Sequence, residues 1–210
     1  MIIAIDGTVA SGKGTIARRL AVHLSLPHLD TGALYRLTGR GALQAGLSLE
    51  DERTIAKLVP ELDLTDTDNP ELRTGEIGQA ASKVAALPKV RAALLEAQRT
   101  FAQQPGGAIL DGRDIGTVVC PEADVKLWVE ASLETRARRR HKELVDKGES
   151  LTLAEMMAQL EERDSRDRER TTAPMRKAAD AVLIDTTDLT IDAAVEKALH
   201  IVEQADHQTN

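Results

Sequence analysis

Residues 6–17 read Asp6-Gly7-Thr8-Val9-Ala10-Ser11-Gly12-Lys13-Gly14-Thr15-Ile16-Ala17. Within them Gly7 to Thr15 fit G-x-x-x-x-G-K-G-T, a phosphate-binding loop with one extra glycine before the hydroxyl residue. The chemistry dictates the residue types. Successive backbone amides must turn inward around a phosphate chain, and glycine supplies the backbone freedom for that. A helix that starts after Gly12 adds its positive end. Lys13 brings a point charge for the β- and γ-phosphates, and Thr15 a hydroxyl for Mg²⁺. Gly7, Thr8, Val9, Ala10, Ser11, Gly12, Lys13, Gly14 and Thr15 are therefore the expected nucleotide cradle. Two other readings compete. One is a plain glycine-rich turn between strand and helix. The other takes Gly12-Lys13-Gly14-Thr15-Ile16-Ala17 as G-x-G-x-x-A, a dinucleotide fingerprint with Asp30 as its acidic partner. That fingerprint should follow the strand directly, whereas here the chain passes through residues 8–11 first, and the Lys-Thr pair would have no role.

Outward from the loop, secondary structure alternates. Met1 to Ile5 is a short branched apolar run before Asp6-Gly7 and reads as a buried strand. Ile16, Ala17, Leu20, Ala21 and Leu24 recur at helical spacing. Further strands are expected at 27–29, 108–110, 125–129 and 181–184. Helices are expected at 33–45, 51–58, 71–86, 88–103, 132–147, 153–170 and 191–203. Residues 62–70 are acidic and rich in turn formers, and read as a loop. The order implies an α/β fold with a parallel central sheet flanked by helices. The tail, 206–210, is expected to fray.

Composition narrows the function. The chain has 210 residues, 27 Lys+Arg against 34 Asp+Glu, and a net charge of −7. That excludes a generally basic nucleic-acid binder and a polybasic membrane-surface protein, while leaving room for a local basic pocket. Aromatic residues are only 1% against 42% hydrophobic, so the core must be aliphatic and a base-stacking RNA surface is disfavoured. The single cysteine, Cys120, forms no disulfide framework and no cysteine zinc site, which points to a reducing, cytoplasmic setting. No apolar run approaches a membrane span. Histidines 23, 28, 141, 200 and 207 lack metal-ligand spacing and read as surface or core fillers, and Cys120 and Trp128 as packing residues. No Asn-Lys-x-Asp guanine reader is present, which disfavours a GTPase.

Four blocks, in this order, carry a resemblance. They are the loop ending Gly12-Lys13-Gly14-Thr15; Leu29-Asp30-Thr31-Gly32-Ala33-Leu34-Tyr35-Arg36; Asp111-Gly112-Arg113-Asp114-Ile115-Gly116-Thr117-Val118-Val119; and Arg163-Asp164-Ser165-Arg166-Asp167-Arg168. Together they resemble the bacterial cytidylate kinases and span most of the chain. The resemblance implies a P-loop kinase fold with a core at 1–60, 87–135 and 172–210. It also implies a monophosphate-binding insert at about 61–86 and a helical lid at about 136–171. It implies a monomer that uses ATP and Mg²⁺ to phosphorylate CMP and dCMP.

By the same resemblance, Thr31, Arg36 and Arg113 hold the CMP phosphate, and Lys13, Arg36, Arg113 and Arg163 carry the transfer. Ser82, Arg91 and Asp114 read cytosine. Arg163, Asp167 and Arg170, at i, i+4 and i+7, grip the ribose and phosphate from one helix face. Thr15 and, through water, Asp111 serve the metal. Arg136, Arg138, Arg139 and Arg140 resemble the approach to the lid, with Arg138 and Arg140 unassigned, and Asp185-Thr186-Thr187 resembles a loop beneath the adenine. Tyr35 reads as packing. Two departures stand out: Thr8 occupies a position where the family usually has proline, and residues 62–70 are too short for the small antiparallel sheet often found in the insert. Rivals are a nucleotide-binding regulator without turnover and a kinase for UMP or shikimate.

Overall fold

Ile3, Ala4 and Ile5 are 0–1% exposed, because the strand they form is covered on both faces. This strand, β1 (Ile2–Gly7), is the centre of a five-stranded sheet in the order β2-β3-β1-β4-β5. The others are β2 (His28–Asp30), β3 (Ala108–Gly112), β4 (Val125–Glu130) and β5 (Val182–Asp185), and every pairing is parallel. The structure is a computed structural model that describes residues 1–205 in full and follows the last helix to Thr209. The fraying expected at 206–210 lies outside the described residues.

Alternation along β1 sorts its side chains. Ile3 and Ile5 meet α1 (Lys13–Leu24) and α8 (Ile191–Thr209) through Ile16, Leu20, Ala194 and Ala198. Ala4 faces the other way, toward Leu110, Ala102 and Ile115. On that side lie α2 (Thr31–Gln44), α3 (Glu52–Leu58) and α5 (Pro88–Ala102), with α4 (Gly75–Val84) crossing α2. The expected helix over 71–86 is instead a 3₁₀ turn over 70–73 followed by α4. The break comes at Thr74, whose extended backbone and side chain cap the Ile77 amide. Among the described residues the only sheet is the central one, and residues 62–69 form turns, so the short acidic stretch carries no strands.

The hairpin of α6 (Leu133–Val145) and α7 (Leu153–Glu169) has its own core of Ala137, Leu144, Met156 and Leu160. A capping box at Thr152 and Glu155 starts α7. Arg136 joins this hairpin to the body. Its guanidinium pairs with Asp164 at 2.8 Å, and it also donates to the carbonyls of Ala131 and Val9, at 3.0 and 3.3 Å. The hairpin also touches the segment around α4: Glu149 accepts the Gly75 amide at 2.8 Å, and Arg166 donates to Ser82 at 2.7 Å.

Candidate active site

The carboxyl ends of β1, β2 and β3 open into one cleft of about 290 Å³, where parallel α/β sheets bind ligands. β1 delivers the glycine loop. Gly7, at φ +150°, lies so close to β4 that a Cβ there would sit 1.9 Å from the Val129 carbonyl oxygen. Gly12, at φ +95°, makes the left-handed turn into α1. Ala10 is also left-handed, at φ +59°. Among the described residues the amides of Val9, Ala10, Ser11 and Gly12 find no hydrogen-bond partner, while the Gly12 carbonyl accepts from Thr15 and Ile16. The loop is braced from below. Ser11 donates to the Thr8 carbonyl at 2.9 Å, and Thr186 donates to the Ser11 carbonyl at 2.7 Å. Arg139 holds Thr186 through that residue's hydroxyl and carbonyl.

Lys13 is buried, and its Nζ donates to the Thr8 carbonyl at 3.3 Å. Burial lowers its pKa to about 7; Arg113 and Arg163 push the same way, against Asp111 and Asp30. A buried ammonium in this state lacks a counter-anion. Thr31 and Arg36 begin α2, which Asp30 caps by accepting the Ala33 amide at 3.2 Å. Arg36 pairs with Asp30 at 2.7 Å, and Thr31 donates its hydroxyl to the Asp111 carbonyl at 2.8 Å. The Thr31 hydroxyl proton is thus spent in pinning β2 to β3.

Arg113, just beyond β3, donates to Asp167 on α7 at 3.0 Å. Arg163 is the unusual member. It is half-buried, its Nε is fully buried without a partner, and its guanidinium makes no hydrogen bond or ion pair among the described residues. Burial, then Arg113, lower its pKa to about 10, with Arg36 and Arg140 adding to the effect and Asp167 opposing it. Four guanidinium groups therefore converge on a space whose nearby carboxylates are already engaged. Asp167 in turn is held below the usual carboxylate range: Arg113, Arg163 and Arg170 outweigh its burial.

The far end of the cleft is different. Asp114 accepts Arg91 on one oxygen at 2.5 Å and Arg170 on the other at 2.9 Å, all three side chains being 7% exposed or less. Arg91 also donates to the Ala85 carbonyl at 3.2 Å, and its guanidinium lies 5.5 Å from the Tyr35 ring centroid. Tyr35 is packed, as expected, and supports that guanidinium. Arg170 does not share the helical face of Arg163 and Asp167. The helix ends at Glu169, and Arg170 is extended, at ψ 139°, which turns its side chain toward Asp114 and the Ala173 carbonyl.

A metal would find hard oxygen donors beside the loop. Asp111, one residue before the end of β3, has its Oδ2 3.7 Å from where a Cβ on Gly14, the neighbour of Thr15, would lie. A hydroxyl and a carboxylate suit Mg²⁺, which also binds through substrate phosphates and water. Among the described residues no group of three His, Cys, Asp or Glu forms a cage, so phosphates would complete the shell.

A family model described as cytidylate kinase matches residues 3–204. The chain belongs to the cytidylate kinase family. It is 55% identical over 205 residues to a cytidylate kinase from Methylocella silvestris, covering 98% of this chain and 95% of that one. It is 57% identical over 201 residues to a cytidylate kinase from Cereibacter sphaeroides, covering 96% and 94%. A crystal structure of an uncharacterized protein from Eubacterium ventriosum aligns over 97% of this chain and 98% of that one, with a TM-score of 0.55 and 14% identity, a likeness of fold alone.

Within this cytidylate kinase scaffold, three contacts escape sequence reasoning. His28, taken as filler, has its Nε2 2.8 Å from Asp111 Oδ1 and orients that carboxylate. Arg166 holds Ser82, and Arg140 lines the cleft while pairing with Glu143 at 2.7 Å. Arg138 instead faces solvent beside Glu134. Nothing in composition separates these arginines from their neighbours; only the helix phase set by the packed Ala137, Leu144 and Leu160 does. Among the described residues no helix is long and apolar enough to cross a membrane.

Proposed function

We propose that the chain transfers the γ-phosphoryl group of ATP to CMP and dCMP, giving ADP and the corresponding diphosphate. Family membership supports the reaction, and one observation carries the site: an unpaired, half-buried Arg163 between Arg36, Arg113 and Arg140, facing the amide-lined loop across the cleft. Such a cluster of like charges is costly unless a polyanion completes it. In this reading the loop amides and Lys13 hold the triphosphate of ATP, while Arg36, Arg113 and Arg163 seat the acceptor phosphate. Asp167 meets the ribose, and α4 with its preceding turn forms the acceptor insert. The α6–α7 hairpin acts as the lid, contributing Arg140, and closes over the cleft to exclude water. Asp114, Arg91 and Ser82 face the base. Cytosine offers an amino donor to the remaining lone pairs of Asp114, and its ring nitrogen and carbonyl can accept from Arg91. The enzyme acts as a monomer in the cytoplasm, a setting that suits the lone buried Cys120.

Phosphoryl transfer asks for alignment and charge stabilisation more than for covalent chemistry. The acceptor monoester has a second pKa near 6 and is largely a dianion at neutral pH, so no protein base is needed. Thr15 and Asp111 would hold Mg²⁺, directly and through water, and the bound ion would neutralise β- and γ-oxygens.

An acceptor panel tests the reading. With Mg·ATP, CMP and dCMP should turn over far better than UMP, AMP or shikimate. ATP binding without turnover of any acceptor would favour a regulator, and a preference for UMP would refute the role of Asp114. A second expectation concerns Arg163→Met. Its kcat should fall by about 10²- to 10³-fold, as when one preorganised donor to a transition state is lost. The nucleotide-free variant should melt higher than the wild type, because an unpaired guanidinium among like charges is gone. A lower midpoint in differential scanning calorimetry would contradict the charge argument.

A further inference from the structure

Asp6 has no part in the site described so far. It is 4% exposed near the end of β1, one residue before the loop, and its carboxylate is spent on the segment that follows β3. Its Oδ1 accepts the Ile115 amide at 2.8 Å and its Oδ2 the Gly116 amide at 2.7 Å. Those two amides open a wide helical turn over Ile115–Val119, closed by i→i+5 bonds from Val119 to Asp114 and from Cys120 to Ile115. The first amides of any helical turn need an external acceptor. The residue in the capping position is Asp114, and aspartate is a favoured cap. Here it makes no cap bond, because both of its oxygens are committed to Arg91 and Arg170. A carboxylate from 109 residues upstream does the capping instead.

We propose that Asp6 is a positioning residue for acceptor specificity: by capping the 115–119 turn in place of Asp114, it leaves the Asp114 carboxylate free to face the arginines and the acceptor base. The inference rests on the proposed CMP kinase reading for its kinetic consequence, but not for its structural one. Burial pushes the Asp6 carboxyl up to about 7 even though both amides oppose the rise. The benefit lies downstream, in where Asp114 points. When the distant cap is lost, two buried amides compete with Arg91 and Arg170 for the Asp114 oxygens, and the base-facing geometry gives way.

The test uses Asp6→Asn in the full chain. The amide side chain keeps one acceptor and turns an N–H₂ toward the second backbone amide. The KM for CMP should rise at least tenfold, the ratio of kcat/KM for CMP over UMP should fall at least tenfold, and the KM for ATP should stay within about twofold. The substrate ratio is independent of the fraction of enzyme that is folded, so a brace with a purely structural role would leave it unchanged, and that result overturns the proposal. Asp6→Ser, whose shorter side chain also removes the two-oxygen cap, carries the same test if Asp6→Asn does not accumulate, and should lower the ratio in the same way. A crystal structure of the variant gives an independent readout. Asp114 rotated onto the amides of the 115–119 turn is expected; Asp114 still bound to both arginines refutes the inference. Should the wild type fail to prefer CMP, the functional reading falls while this structural outcome still decides the role of Asp6.

Discussion

Replacing Lys13 by methionine is expected to lower turnover by about 10³- to 10⁵-fold, the scale of a single cation placed on a transferring phosphoryl group. The same change should make the nucleotide-free protein more stable at pH 7. The two effects share one cause. Lys13 sits buried against the Thr8 carbonyl and beside Arg113 and Arg163, with its pKa lowered from 10.5 to about 7. A base with a depressed folded-state pKa is held more weakly by a proton when folded than when unfolded. Between pH 7 and 10.5 the unfolded chain therefore binds more protons, and stability rises with pH through that window. Below about 7 the cost is fully present, and above 10.5 it is gone. The variant's advantage in a urea titration should accordingly be largest at pH 7 or below and shrink toward pH 10. Bound ATP should reverse the picture, since its phosphates supply the missing anion. Calorimetry in buffers of different ionisation enthalpy should detect proton uptake on ATP binding near pH 7.5 by the wild type and much less by the variant. A Lys13→Met protein with near-normal turnover, or one less stable at pH 7 and equally so at pH 10, would contradict this account.

That prediction was partly legible in the sequence and partly not. The loop announces itself because its chemistry is local: glycines, one lysine and one hydroxyl residue within nine positions, between an apolar strand and a periodic helix. Four of the strands were legible for the same reason, being short apolar runs, while β2, His28-Leu29-Asp30, has only one apolar residue. What the sequence hides is whatever a distant partner decides. Ile115-Gly116-Thr117-Val118-Val119 is branched and apolar and carries no helix signal of its own; Asp6, far upstream, caps the wide turn it forms. Arg163 and Arg166 stand three residues apart in one charged helical run. One is an unpaired cation in the cleft and the other holds Ser82, because α7 lies across the cleft from α4. His28 looks like filler until β2 and β3 pair and bring it to Asp111.

The opposite balance governs Asp114. Asp114→Asn is expected to destabilise the protein by about 3–5 kcal/mol, the cost of leaving buried charges without their partner. Arg91 and Arg170 both end on this one carboxylate, at 2.5 and 2.9 Å, with almost no access to water. Lys13 lacks its anion in the nucleotide-free protein; these arginines already have theirs, so removal acts with the reverse sign. The catalytic consequence concerns choice of base. A carboxylate can only accept, which suits the amino group of cytosine and repels the carbonyl that uracil presents at the same position. Asparagine can turn either end toward the base and loses that repulsion. A buried polar site built for one hydrogen-bond pattern discriminates by about 10⁴ or more, so the CMP-to-UMP ratio of kcat/KM should collapse by orders of magnitude toward parity. Because both substrates compete for the same folded molecules, partial unfolding of the variant cancels from the ratio. A variant that loses stability yet keeps its preference for CMP would confine Asp114 to the core and pass base recognition to Ser82 and Arg91, whereas one that keeps its stability would mean that the arginines find other partners.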